Sequence, residues 1–278
     1  MPELAVVTVS YHSSDEIEAL VASLAAASRR RIVPIVADNA GDRELDALAS
    51  AGAIELVDMG GNLGYGGAVN EAVRRLRERP RWLLVVNPDV TFHAGAIDEL
   101  LRAAEADETI GMIGPRILTP SGETYPSARR LPSLRTGIGH ALLGKVWGRN
   151  PWTARYVADR EDPPREREAG WLSGSCFLIR MSDFEQLGGF DEKFFMYFED
   201  VDLGARVGAL DHRIVYLPSA VVTHSGGHAT ARVSRRMILE HHRSAYRYLA
   251  AKYSAWYLGP LRLALRVGLA ARARLVRS

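Results

Sequence analysis

With 278 residues, 47% of them hydrophobic and 24% charged, the chain has the composition of an ordinary globular protein and is long enough for one large domain or two small ones. A formal charge of +2 is too small to point to nucleic acid, a single cysteine (Cys176) excludes an internal disulfide, and no apolar run approaches the roughly 20 residues of a membrane span. The opening MPELAVVTVSY lacks the basic flank, apolar run and cleavage site of a signal peptide, so a reducing, cytoplasmic setting is expected.

Short apolar runs alternate with helical patterns over the first hundred or so residues. Strands are expected at 4–10, 31–39, 54–57, 82–87 and 110–114, and helices at 14–27, 43–51, 65–78 and 95–106. Continuous apolar strands separated by helices predict a mostly parallel sheet covered on both faces, which binds ligands beyond the carboxyl ends of its strands. The polar residues at those ends are Ser10, Tyr11, Asp38, Asn39, Asn87 and Asp89. Residues 119–168 are rich in Pro, Gly and Arg and read as a long loop region with one helix. GWLSGSCFLIR (170–180) reads as a strand, and SDFEQLGG (182–189) as a short helix with a serine cap and a glycine stop. RIVYLP and AVVTH are two further strands, a long helix begins near Val233, and a tail with five arginines and no acid follows from Arg262.

Several constellations carry chemistry. In NPDV (87–90) an apolar strand delivers Asp89 to its carboxyl end, where a carboxylate suits a hard cation such as Mg²⁺ or Mn²⁺ shared with phosphates; Asn-Pro-Asp is equally good turn chemistry. Asp38 in VADNAGD is placed to contact a base or ribose, or to cap the following helix. The glycines of GGNLGYGGAVNEA (60–72) do not form a dinucleotide fingerprint but permit close backbone approach to a nucleotide at a helix start. GWLSGS lacks nucleophile-elbow spacing, so covalent hydrolase chemistry has little support.

FFMYFEDVDLGAR (194–206) sets Glu199, Asp200 and Asp202 behind aromatics. A helix starting near Glu199 would pair Asp202 with Arg206 and turn Leu203 and Val207 inward. Asp200, at the rim of a partly dry pocket, would have a raised pKa and suit a general base. His224 in VVTHSGGH is either packing or a nitrogen ligand.

In this order, VTVSYHS, ADNAGD, NLGYGGAVN, NPDV, GWLSGSCFLIR, FFMYFEDVDLGAR and VTHSGG resemble the family 2 glycosyltransferases, with the pattern closest to rhamnosyltransferases of bacterial cell-envelope assembly. The resemblance spans about residues 4–228 and implies a GT-A fold: a Rossmann-like, mostly parallel sheet with helices on both faces. It implies a nucleotide-sugar half (about 1–115), an acceptor half (about 116–228) and a basic, amphipathic helical extension (229–278). It implies inverting transfer of a sugar, L-rhamnose first, from a dTDP- or UDP-linked donor to a polyprenyl-diphosphate-linked saccharide such as N-acetylglucosaminyl-diphospho-polyprenol. A galactofuranosyl or other hexosyl transfer is the alternative, and a silent nucleotide-sugar scaffold a rival of another class. Carried over residue by residue, Tyr11, Asp38, Asn62 and Gly64 surround the nucleotide, and Asp89 and His224 hold a divalent metal (Mg or Mn). Asp200 is the catalytic base, and Trp171, Ser173, Gly174, Ser175 and Glu199 line the acceptor side. Asn87 departs from the family pattern by replacing the first acid of D-x-D. The tail, with Arg262, Arg266, Arg272, Arg274 and Arg277 among leucines and valines, either lies on an anionic membrane or packs on the domain.

Overall fold

The computed structural model describes residues 3–133, 164–226 and 235–275. The helix expected within 119–168 and the boundary expected at 228 fall outside the described residues.

Strands β1 (Leu4–Ser10), β2 (Ile35–Asp38), β3 (Glu55–Asp58) and β4 (Trp82–Val86) are mutually parallel and stand in the order β3-β2-β1-β4. The connecting helices are α1 (Ser14–Ala27), α2 (Leu45–Ser50) and α3 (Gly64–Arg74). Beyond β4 come β5 (Val90–Phe92), α4 (Ala96–Ala106), β6 (Ile110–Leu118), β7 (Thr124–Tyr125) and β8 (Ala128–Arg129). The remaining strands are β9 (Arg167–Glu168), β10 (Trp171–Leu172), β11 (Cys176–Arg180) and β12 (Arg213–His224). Helices α5 (Met181–Gln186), α6 (Glu199–Gly208), α7 (Arg235–Lys252) and α8 (Gly259–Leu275), with a short 3-10 turn at Trp256–Leu258, complete the described elements.

Strand alternation builds two cores. Val6, Trp82, Leu84, Val86, Cys176 and Leu178 face α1 and α4 through Ile17, Leu20, Ile97 and Leu100. Val7, Val9, Leu83, Val85, Phe177 and Ile179 face α3, α5 and α6 through Val69, Phe184, Leu203 and Val207. Strands apolar on both faces belong between two helical layers, because each large side chain withdrawn from water contributes about 1.5–3 kcal/mol.

β11 inserts between β4 and β6, antiparallel to both. Two expectations need correction. The stretch 170–180 is two strands, because Ser173–Ser175 turn the chain from the small β10–β8 pair into the main sheet. RIVYLP and AVVTH form one strand, β12, parallel to β6 with a register shift between Leu217 and Val221, where Pro218 is accommodated. In addition, α5 begins before Ser182 and has no side-chain cap, whereas the glycine stop is present with Gly188 at φ 72° and Gly189 at φ 74°. β6 runs unbroken through Pro115, so both halves share one sheet.

This topology builds the cleft. The carboxyl ends of β1, β2 and β4 lie along one edge. Because β11 runs antiparallel, its amino end delivers residues 173–175 to that same edge, with Cys176 opposite Val86. β12 pairs with β5 so that His224 lies opposite Val90, beside Asp89.

Candidate active site

At the end of β4, Asn87 donates its backbone N–H to the Ser175 carbonyl (2.8 Å). Asp89 follows, with Oδ1 3.0 Å from His224 Nε2 and Oδ2 accepting the Gly226 N–H at 3.0 Å. Burial opposes ionisation of Asp89, but the His224 hydrogen bond and charge and the Gly226 N–H prevail and hold its pKa below the ordinary value. The Asn87 amide is 3.5 Å from His224 Nε2. One carboxylate, one imidazole and a neutral amide thus share a corner. Among the described residues no group of three or more His, Cys, Asp or Glu side chains could hold a metal. This donor set fits a hard cation that takes its remaining oxygens from a diphosphate, and does not fit an all-protein cage.

The opposite wall is the turn into α6. Asp200 Oδ2 accepts the Gly174 N–H (2.9 Å) and Oδ1 accepts the Val201 N–H (2.8 Å). Desolvation raises its pKa, partly offset by those N–H groups and by the charge of Arg129. Glu199 is only 7% exposed, and its Oε2 has no hydrogen-bond partner. Burial and the neighbouring Asp200 charge push Glu199 up to about 8. Of the two acids, Glu199 therefore holds the proton at neutral pH, since Asp200 has donors aimed at its charged form and Glu199 has an orphaned oxygen. Asp202 pairs with Arg206 Nε at 2.7 Å, and Leu203 and Val207 are buried, as the helical spacing predicts.

Tyr65 joins the two walls. Its hydroxyl donates to the Gly174 carbonyl at 2.6 Å, so Gly174 is held by Tyr65 on one side and Asp200 on the other. Desolvation, then the charges of Glu199, Asp200, Cys176 and Asp89, drive the Tyr65 pKa well above the ordinary phenol value. The charges of both Asp200 and Asp89 reach this hydroxyl, that of Asp89 least. Sequence reasoning missed Tyr65 because a tyrosine in the first turn of a helix looks like packing. Of the other residues expected on the acceptor side, Ser173 Oγ is 3.1 Å from Ser175 Oγ, and Trp171 Nε1 donates to the Arg130 carbonyl at 3.1 Å.

The residues expected around a nucleotide are less uniform. Tyr11 is exposed at the end of β1, its ring 4.7 Å from His12. Asp38 is buried, and its two oxygens accept the N–H groups of Ala40 (2.9 Å) and Asp42 (2.7 Å), so the carboxylate shapes its own loop and does not cap α2. Asn62 is exposed and accepts the Gly64 N–H at 2.9 Å. Gly64 itself is packed: at φ 78°, a Cβ there would collide with the Phe195 carbonyl. Gly66 is filled in the same way, its Cβ position lying 2.7 Å from Phe190 Cβ. These two glycines let α3 abut the segment that leads to Asp200. Buried Asn39, also missed as a pin, accepts the Leu63 N–H (3.2 Å) and donates to the Gly64 carbonyl (3.1 Å).

The α6 turn is itself clamped. Tyr197 (φ 66°) and Phe198 (φ 68°) are consecutive left-handed non-glycine residues, each costing about 1 kcal/mol or more. Helix α7 braces them. Ser244 Oγ donates to the Met196 carbonyl (2.9 Å), the His241 ring lies 5.4 Å from Tyr197 and 5.6 Å from Phe198, and Tyr248 lies 5.8 Å from Phe198. Desolvation, His242 and Arg272 lower the His241 pKa, which favours a neutral ring. Beyond α7, Trp256 is 87% exposed and Tyr257, Leu263 and Val267 are also exposed, while Arg262 Nη1 is spent on the Tyr253 and Ala255 carbonyls. No helix among the described residues is long and apolar enough to cross a membrane.

A Rossmann-like sheet with its cleft between a strand-end carboxylate and a helix-start carboxylate has the architecture of GT-A glycosyltransferases, and solved structures share it. The mannosyltransferase PcManGT from Pyrobaculum calidifontis, in complex with GDP-Man and Mn²⁺, superposes with a TM-score of 0.59 at 15% identity, covering all of this chain and 76% of that one. GalNAc-T7, with UDP, GalNAc and Mn²⁺, gives 0.58 at 15% identity over 80% of this chain, which spans 43% of that protein. At this identity the likeness concerns the fold alone. The profile of glycosyl transferase family 2 matches residues 5–188. A Mycobacterium tuberculosis protein named N-acetylglucosaminyl-diphospho-decaprenol L-rhamnosyltransferase is 44% identical, with 98% of this chain and 92% of that protein covered. The chain belongs to glycosyl transferase family 2 and is a glycosyltransferase.

Proposed function

We propose that this glycosyltransferase inverts configuration, transferring L-rhamnose from dTDP-rhamnose to an N-acetylglucosaminyl-diphospho-polyprenol in cell-envelope assembly. The 44% identical relative supports the sugar and acceptor class. The observation that carries the chemistry is the pairing of each Asp200 oxygen with one backbone N–H, from Gly174 and Val201, at a turn that the Tyr65 hydroxyl also holds.

Asp89 and His224, with the donor diphosphate completing the shell, would hold a Mg²⁺ or Mn²⁺ ion. Such an ion supplies Lewis-acid stabilisation of charge on the departing nucleoside diphosphate. Asn87 adds no charge, so metal affinity depends on the nucleotide. On the opposite wall, each Asp200 oxygen accepts one backbone N–H and keeps a lone pair for the acceptor hydroxyl. The hydroxyl oxygen bonds to the anomeric carbon as the bond from that carbon to the diphosphate oxygen breaks. The hydroxyl proton passes to Asp200. Neutral Glu199 spares Asp200 a second adjacent negative charge, and exposed Tyr11 is available to face the base. The lipid-linked acceptor and the exposed Trp256 and Tyr257 support a peripheral position on the inner face of the plasma membrane.

Asp200→Asn tests the reading. Turnover is expected to fall by orders of magnitude, about 10²–10⁴-fold for loss of a general base, while metal-dependent binding of the nucleotide-sugar persists. Near-normal turnover removes the base assignment.

A further inference from the structure

The acceptor side of Asp200 carries a cation that the mechanism above leaves unused. Arg129 ends β8 and stands in register with Trp171 of β10. Its guanidinium lies 5.7 Å from the Trp171 ring centroid and 5.8 Å from that of Tyr125, and its Nε donates to the Pro126 carbonyl at 2.7 Å. Trp171 is pressed onto the helix that Asp200 helps to open: a Cβ on Gly204 would come within 2.9 Å of the Trp171 Cα and 3.0 Å of the Gly170 carbonyl. Three residues after Trp171, Gly174 donates its N–H to Asp200. The strip 171–174 therefore has Arg129 against its start and Asp200 against its end. Arg129's positive charge is felt at Asp200, where it favours the ionised base.

A guanidinium held against aromatic faces keeps its planar fork pre-organised, and that fork matches phosphate oxygens two at a time. If the attacking hydroxyl sits at Asp200, the phosphate on the same sugar's anomeric carbon lies one pyranose ring away. The donor diphosphate belongs at the other wall, with Asp89 and His224, beyond the Tyr65–Gly174 bridge. We propose that Arg129 binds the acceptor's diphosphate, so that the acceptor site selects saccharides phosphorylated at the anomeric carbon over neutral glycosides. The inference rests on the acceptor class given under Proposed function and adds the residue that reads it.

The test compares two acceptors with the full-length enzyme: a short-chain N-acetylglucosaminyl-diphospho-polyprenol and an octyl glycoside of N-acetylglucosamine, which has no phosphate. For Arg129→Met, which keeps the aliphatic stem over Trp171, the KM for the diphosphate acceptor is expected to rise at least tenfold. Its KM for the octyl glycoside and for the nucleotide-sugar should change less than twofold. Arg129→Lys, which keeps the charge and loses the fork, should give an intermediate rise and serves as the readout if the methionine variant does not fold. Equal losses with both acceptors would show a structural role and overturn the proposal. A rise confined to the donor KM, or no rise at all, would overturn it too. A wild-type enzyme that hydrolyses donor yet transfers to neither aminosugar sinks the acceptor class itself. Wild-type transfer with an insensitive Arg129→Met sinks only the diphosphate contact.

Discussion

Replacing Glu199 with glutamine should make the protein more stable, and increasingly so as the pH rises. Glu199 opens α6 with 7% of its surface exposed, one oxygen without a partner and the Asp200 carboxylate next to it. Those surroundings push its pKa from 4.5 up to about 8. Between these values the native state keeps a proton that the unfolded chain has released. Stability therefore declines as pH rises through that window and levels off above about 8. A tenfold difference in proton affinity between the folded and unfolded states is worth about 1.4 kcal/mol, so the full interval would cost about 4–5 kcal/mol. Interaction with Asp200 spreads the titration over the pair, so the comparison shows only part of that interval. Glutamine has nearly the same shape and no proton to lose. Urea unfolding of wild type and Glu199→Gln at pH 5, 7 and 8.5 should show the variant's advantage growing across the series, with about 4–5 kcal/mol as its ceiling. An advantage that stays flat with pH would refute the assignment of the proton to Glu199.

Tyr65→Phe strips the Gly174 carbonyl of its 2.6 Å donor and should destabilise the protein by about 1–3 kcal/mol, with a fall in turnover larger than any change in donor affinity. Unchanged turnover would show that the Tyr65 bridge does not position the Gly174 strip. Ser244→Ala or His241→Ala should lower kcat about tenfold at constant donor KM, because α7 braces the left-handed pair before Asp200. Adding Tyr197→Gly should recover part of the loss, since glycine adopts that conformation without a steric penalty, and no recovery would argue against strain as the cause. In flotation with anionic liposomes, the full chain should rise with the vesicles and a chain ending at residue 255 should not; equal flotation would place the membrane contact elsewhere.

Much of the first hundred residues was legible in the sequence. Strand 4–10 and helix 14–27 have the predicted ends, because a fully apolar run and a 3.6-residue period are local signals. The Asp202–Arg206 pair followed from spacing alone. Asp89, Asp200 and His224 stood out as residue types at the ends of readable elements. The Arg-rich end expected in helix 65–78 is not helical beyond Arg74, where Pro80 approaches.

What tertiary structure alone decided is how distant segments meet. An apolar strand does not record which way its neighbours run, so the antiparallel insertion of β11 was invisible in GWLSGSCFLIR. That insertion is what carries Gly174 to the cleft. That Phe195 and Phe190 pack against Gly64 and Gly66 was equally invisible in GGNLGYGGAVNEA. The role of α7 was equally hidden, since nothing in RRMILEHHRSAYRYLAAK specifies that Ser244 will reach the Met196 carbonyl. Periodicity and capping act over a few residues and are written in the chain. Strand order, close packing and the desolvation that sets the charge of Glu199 arise only when residues more than a hundred positions apart exclude water together.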